Sequence, residues 1–166
     1  MFADLLKTLL DGTLLSICAS GLILISMRIN PRIWLHDYPQ DIQALVPPKT
    51  DREKQLSLAF GVPFLALLFA VPFISTLMLK NNHPGALPFL PLVVHAFGVM
   101  FVFNLVDWLL LDWLIFCAIT PRFLVIPGSE GARGYKDYLF HFRGFLIGTA
   151  LSIVMGLIIG ALVWFI

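Results

Sequence analysis

Four long apolar runs leave this chain few ways to fold. They extend from about Leu9 to Met27, Leu56 to Leu79, Leu87 to Ile119 and Phe142 to Ile166. Crossing a bilayer takes roughly 20 residues of helix. Hydrocarbon holds no water to satisfy backbone N–H and C=O groups, so runs of this kind must close their hydrogen bonds internally, as helices. Composition agrees, with 59% of the 166 residues hydrophobic and 13% charged. The mean hydropathy of +0.91 lies outside the range of soluble domains. The expectation is an all-α, polytopic integral membrane protein. Its bundle of four transmembrane helices lies at about 9–29, 56–79, 89–119 and 142–166, with a cytoplasmic interfacial segment at 30–55 and a cytoplasmic loop at 120–141.

The first run is longer than the apolar core of a signal peptide and no A-x-A site follows it, so it reads as a retained span. A net charge of +1 provides no basic footprint for nucleic acid. Cys18 and Cys117 each stand alone in an apolar run, without CxxC spacing, which argues for small hydrophobes rather than a disulfide or zinc site. Neither a metal nor a cofactor is expected.

Positive charge orients the bundle. Arg28, Arg32, Lys49, Arg52 and Lys54 fall between the first two runs, and Arg122, Arg133, Lys136 and Arg143 around the last connection. Lys7 and Lys80 lie on the other side. The positive-inside rule then puts both connections in the cytoplasm and both termini outside, an arrangement that suits a bacterial inner membrane.

Within 30–55, Trp34, Tyr38, Ile42 and Leu45 recur at helical spacing. Pro39 interrupts that helix and Pro47-Pro48 ends it. The segment either lies on the inner leaflet as an amphipathic element or packs as an ordered loop across the end of the bundle. Thr50 and Glu53 form a capping-box pattern at the start of the second helix, which Pro63 and Pro72 are expected to bend. Gly144, Gly148, Ser152, Gly156 and Gly160 repeat every four residues in the last run. Such a stripe lets another helix approach closely, either within the chain or from a second copy, and makes a homo-oligomer or a membrane partner plausible.

The third run is too long for one crossing: 33 residues at 1.5 Å rise make about 50 Å, against ~30 Å of hydrocarbon. No placement keeps Asn104, Asp107 and Asp112 all in water. A carboxylate at such depth faces the protein interior, finds a partner or takes up a proton, and marks a functional site by default. Asn104 and Asp107, three apart, share a face. Asp107 and Asp112, five apart, should diverge by about 140° on an α-helix, and His95 should point away from Asn104. His141, Arg143 and Arg28 are expected at the same end. Two arrangements follow: Arg28 or Arg143 pairs with the aspartates and fixes helix register, or Asn104, Asp107, Asp112, His141 and Arg143 line a polar cavity. Trp108 and Trp113 read as interfacial anchors. The glycines at 128, 131 and 134 suggest a flexible connection, but neither a strand nor a GK[ST] accompanies them, so no phosphate loop is present.

No nucleophile-plus-base motif stands out. Three functions fit. The first is binding or movement of a solute or ion by an oligomer, with Asp107 as the coupled group. The second is an enzyme acting on lipid headgroups, with His141 or Asp112 as base and Arg143 on phosphate. The third is a non-catalytic accessory or scaffold subunit that docks a partner through Trp34 and Tyr38. In each case membrane lipids surround it.

Overall fold

The computed structural model describes residues 2–166, with side chains from Asp4 onward. Every regular element among them is helical. Helix α1 (Phe2–Ile29) leads through a 3₁₀ turn, Pro31–Asp37, to the short α2 (Gln40–Leu45). Helix α3 (Asp51–Asn82) precedes α4 (Phe89–Val106), which continues without a break as a π-helix, Asp107–Ile119. Two short 3₁₀ turns, Arg122–Leu124 and Arg133–Lys136, lead to α5 (Tyr138–Phe165). Four helical stretches, Asp4–Ile29, Asp51–Asn82, Phe89–Ile119 and Tyr138–Phe165, are long and apolar enough to cross a membrane. Their outward surface carries exposed Leu14, Ile17, Leu58, Leu65, Ile147 and Leu151. Water would not tolerate so much contiguous apolar surface; lipid would.

Helix α4 is central, with α5 and α1 packed along it and α3 closing the bundle. The small residues of the last run do their packing inside the chain. A Cβ at Gly156 would stand 2.9 Å from the Phe97 Cβ, and one at Gly160 would stand 2.5 Å from the Val93 Cγ2. At Gly148 it would strike the Asn104 side chain. Ser152 is buried and turns its hydroxyl onto the Gly148 carbonyl, whereas Gly144 faces open space. That stripe is therefore occupied by α4 over most of its length and gives no argument for a second copy. The α1–α4 seam uses the same device from both sides: Gly12 lies under Val102, and Gly98 under Thr8.

The capping box at the start of α3 is complete, with Thr50 and Glu53 each bonding the other's backbone N–H. The helix runs through Pro63 and Pro72 without a break. One end of the bundle carries a folded cap. Residues 31–46 do not lie apart on a surface: Leu35, Tyr38, Ile42 and Val46 pack with Leu124, Ile126 and Tyr135 over Phe116 and Cys117. The Tyr38 hydroxyl donates to the Leu124 carbonyl at 2.9 Å. Burial pushes this phenol well above its ordinary pKa, so it remains a donor. Leu45, placed on the same stripe by the sequence, points outward instead. The glycine-rich connection is ordered too. Gly128 and Gly131 take positive φ of 91° and 80°, the turns only glycine makes cheaply, and Tyr135 bonds Ser129 and the Ile126 N–H beneath them.

Candidate functional site

The π-helix creates the site. In an α-helix each N–H reaches back four residues; in a π-helix it reaches five, and the wider turn puts residues four and five apart on one face. The transition begins at Asp107, whose N–H is shared between the Asn104 and Phe103 carbonyls. At the far end Thr120, at positive φ of 48°, closes the element with its N–H on the Ile115 carbonyl at 2.9 Å. Lys136 reaches across to the Cys117 carbonyl (2.5 Å) and the Thr120 hydroxyl (2.7 Å), capping the free carbonyls with a cation.

The wider turn overturns the divergence expected of Asp107 and Asp112. Both carboxylates line one small cavity of about 50 Å³. The opposite wall is α1, through Ile23, Leu24 and Met27; Ile115, Phe116 and Leu124 complete it. Its volume suits a water molecule or two.

Asp112 is held by His141, whose Nδ1 lies 3.0 Å from a carboxylate oxygen. The carboxylate can only accept, so Nδ1 carries the hydrogen. His141 is 6% exposed, wedged between the Phe116 and Phe140 rings. Its Nε2 is buried with no hydrogen-bond partner among the described residues, and the Cys117 thiol lies beside the same imidazole. Nothing bonds Nε2 among the described residues, so carboxylate, imidazole and thiol do not make a nucleophilic triad. Cys117 is wholly buried, and the cavity does not reach it. A cysteine in an apolar run reads as an ordinary apolar residue, so nothing in the sequence signals that it neighbours His141.

The remaining expected members divide. Asn104 points at α5, its amide donating to the Phe145 carbonyl (3.1 Å) and the Thr149 hydroxyl (3.0 Å); it is an interhelical clasp. Arg143 is exposed and makes no ion pair among the described residues. Arg28 is exposed as well, its guanidinium 5.8 Å over the Phe123 ring. Neither arginine reaches the aspartates; the histidine bonds Asp112, and Asp107 has no hydrogen-bond or ion-pair partner among the described residues. Trp108 stacks on Phe145 and meets Trp113 edge-on, so this pair belongs to an aromatic seam between the π-helix and α5.

A second polar group, which sequence reasoning passed over, lies at the other end of the bundle. His95 is 3% exposed and bonds Thr8 through Nδ1 and Ser75 through Nε2, both at 2.7 Å. Ser75 donates to Asp11, which also holds Lys7. They come from three separate apolar runs and share no sequence motif. Ranking these by depth from the bundle end, rather than by spacing, would have brought them together.

A larger cleft of about 410 Å³ opens in the cap between His36, Gln43, Pro47, Lys49 and Lys54. Its cations are already engaged: Lys49 with the Ile33 carbonyl and Ser57, Lys54 with Asp51. Among the described residues no three His, Cys, Asp or Glu side chains converge as a metal site. Comparison with protein-family models, curated proteins and solved structures returned no match.

Proposed function

We propose that this protein is an integral membrane protein that binds and releases a proton at Asp107, and that proton movement through it depends on that carboxylate. One observation carries the reading: Asp107 and Asp112 line one cavity, and among the described residues the only ion-pair partner of either is the His141 imidazole, on Asp112. Ionisable residues placed inside membrane helices without a fixed counter-cation mark proton or ion pathways. The cavity's size narrows the cargo. Pockets for organic solutes run to roughly 300–1,000 Å³, far above the ~50 Å³ here. A bare metal cation would want more oxygen ligands than two carboxylates supply. A proton, passed through one or two waters, needs no more than the cavity offers.

The other readings lose support. A lipid-headgroup enzyme needs Arg143 beside an accessible His141, but the arginine stands apart and the imidazole is enclosed. A scaffold docking through Tyr38 would have to expose a side chain that is 1% accessible. We further place the cap in the cytoplasm and both termini outside, because the positive charge gathers at the cap, in what would be a bacterial inner membrane. Whether the bundle works alone or as a homo-oligomer is left to the second arm of the test.

Reconstitution into liposomes with an internal pH dye and an imposed potential tests the proposal. Wild type should acidify the lumen, and Asp107→Asn should lower the rate by about tenfold or more at unchanged helical content. A sodium gradient in place of the proton gradient should give no signal. Equal proton flux in the variant would sink the reading. Flux from single copies per vesicle at limiting protein would assign it to the monomer.

A further inference from the structure

We infer that Thr8, His95, Ser75 and Asp11 form a proton relay at the end of the bundle opposite the Asp107 cavity, with the buried His95 ring passing a proton between two partly exposed termini. The inference does not use that cavity and stands whether or not Asp107 moves protons.

Three helices build the chain of bonds. Lys7, Thr8 and Asp11 lie within one turn of α1, while Ser75 comes from α3 and His95 from α4. Ser75 and His95 are 4% and 3% exposed; Thr8 and Asp11 are half-buried. Donor counting fixes where the hydrogens are. The Asp11 carboxylate can only accept, and one of its oxygens takes both the Lys7 ammonium and the Ser75 hydroxyl, each at 2.5 Å. Ser75 has a single hydrogen and it is committed, so its oxygen must accept from His95 Nε2 at 2.7 Å. The ring therefore carries its proton on Nε2. That leaves Nδ1 as the acceptor for the Thr8 hydroxyl at 2.7 Å, and Thr8 has an alternative acceptor, the Asp4 carbonyl, at 2.9 Å.

This order supports a concerted shift. A proton arriving at the Thr8 oxygen sends the Thr8 hydrogen to Nδ1. The Nε2 proton moves to the Ser75 oxygen, and the Ser75 proton moves to Asp11. The Thr8 oxygen, serine oxygen and imidazole ring each gain one proton and lose one. The net result is a neutral Asp11 and a ring now protonated on Nδ1, which donates to Thr8 while Thr8 turns to the Asp4 carbonyl. No heavy atom has to travel. Neutralising Asp11 also releases Lys7 from its ion pair, so the relay's state is reported at the surface. The other titratable groups acting on this corner among the described residues are Asp4, on α1, and His83, just past α3. A mere interhelical clasp would show the same resting tautomer but would keep it when Asp11 loses its charge; the relay requires the ring to switch with Asp11.

Nitrogen-15 NMR of the imidazoles in nanodiscs, with the His95 signal assigned by its loss in His95→Gln, reads the difference. Wild type should show a neutral ring protonated on Nε2. In Asp11→Asn the new amide donates to Ser75, turning its hydrogen towards Nε2, and the tautomer ratio should invert, by about tenfold, towards Nδ1–H. Should Asp11→Asn fail to fold, Ser75→Ala serves: the Nε2–H preference should fall because its acceptor is gone. An unchanged tautomer in whichever variant folds, or a doubly protonated ring in wild type at neutral pH, would overturn the relay.

Discussion

His141 and Arg143 sit two positions apart on α5 and share almost nothing physically. The histidine is enclosed and bonded to Asp112, whereas the arginine is solvent-facing and unpaired among the described residues. Removing the imidazole strips a partner from a carboxylate whose side chain is only 27% exposed and opens space among aromatic rings. His141→Ala should therefore cost roughly 2 kcal/mol, less than the ~3–5 kcal/mol of a fully buried pair because Asp112 keeps some solvent. Arg143→Ala should fall within about 0.5 kcal/mol of wild type. Reversible unfolding in mixed micelles orders the two, and equal losses would deny His141 its special place. Sequence alone placed these residues near Asp112, since helix ends that share a bundle end must meet. It could not choose between them: both can pair with a carboxylate, and only burial decides.

At the scale of elements, the α4 spine is half α-helix and half π-helix, and this division explains what sequence periodicity could and could not reveal. Helix existence, the capping box at Thr50 and the apolar faces were legible because each rests on local chemistry or on 100° per residue. Asp107 and Asp112 were misjudged for the same reason, since that periodicity stops at Val106. The small-residue stripe was visible in sequence, yet its partner was not; a groove carries no address. Now that α4 is known to fill it, the glycines rank. Gly156→Ala presses a methyl against Phe97 backbone and side chain, and should cost about 1–3 kcal/mol by overpacking. Gly144→Ala meets nothing within 4 Å and should be neutral or stabilising by up to about 1 kcal/mol through helix propensity. Thermal unfolding in detergent compares them, and a Gly144 variant as damaged as the Gly156 one would contradict this packing.

Taken as one molecule, the chain is a bundle with an apolar exterior, a polar node near each end and a folded cap at one of them. Cations cluster about that cap, among them Arg32, which binds Glu53 at 2.6 Å and the Pro47 carbonyl at 2.7 Å. Lys80, at the far end, closes α5 by bonding the Val163 carbonyl. The asymmetry predicts orientation. In spheroplasts of a bacterial host, Asn81→Cys should react with a membrane-impermeant maleimide and Glu130→Cys should not until the membrane is broken, each on a Cys18→Ser background. The opposite pattern would invert the topology. The cap also joins distant stretches of chain, since the Tyr38 to Leu124 bond spans 86 positions. During synthesis the ribosome delivers the first of these stretches long before the second. Until about residue 135 has emerged, Tyr38 and Ile42 lack Leu124, Ile126 and Tyr135 to cover them, so this end of the protein stays open through most of synthesis and is where a nascent copy needs shelter.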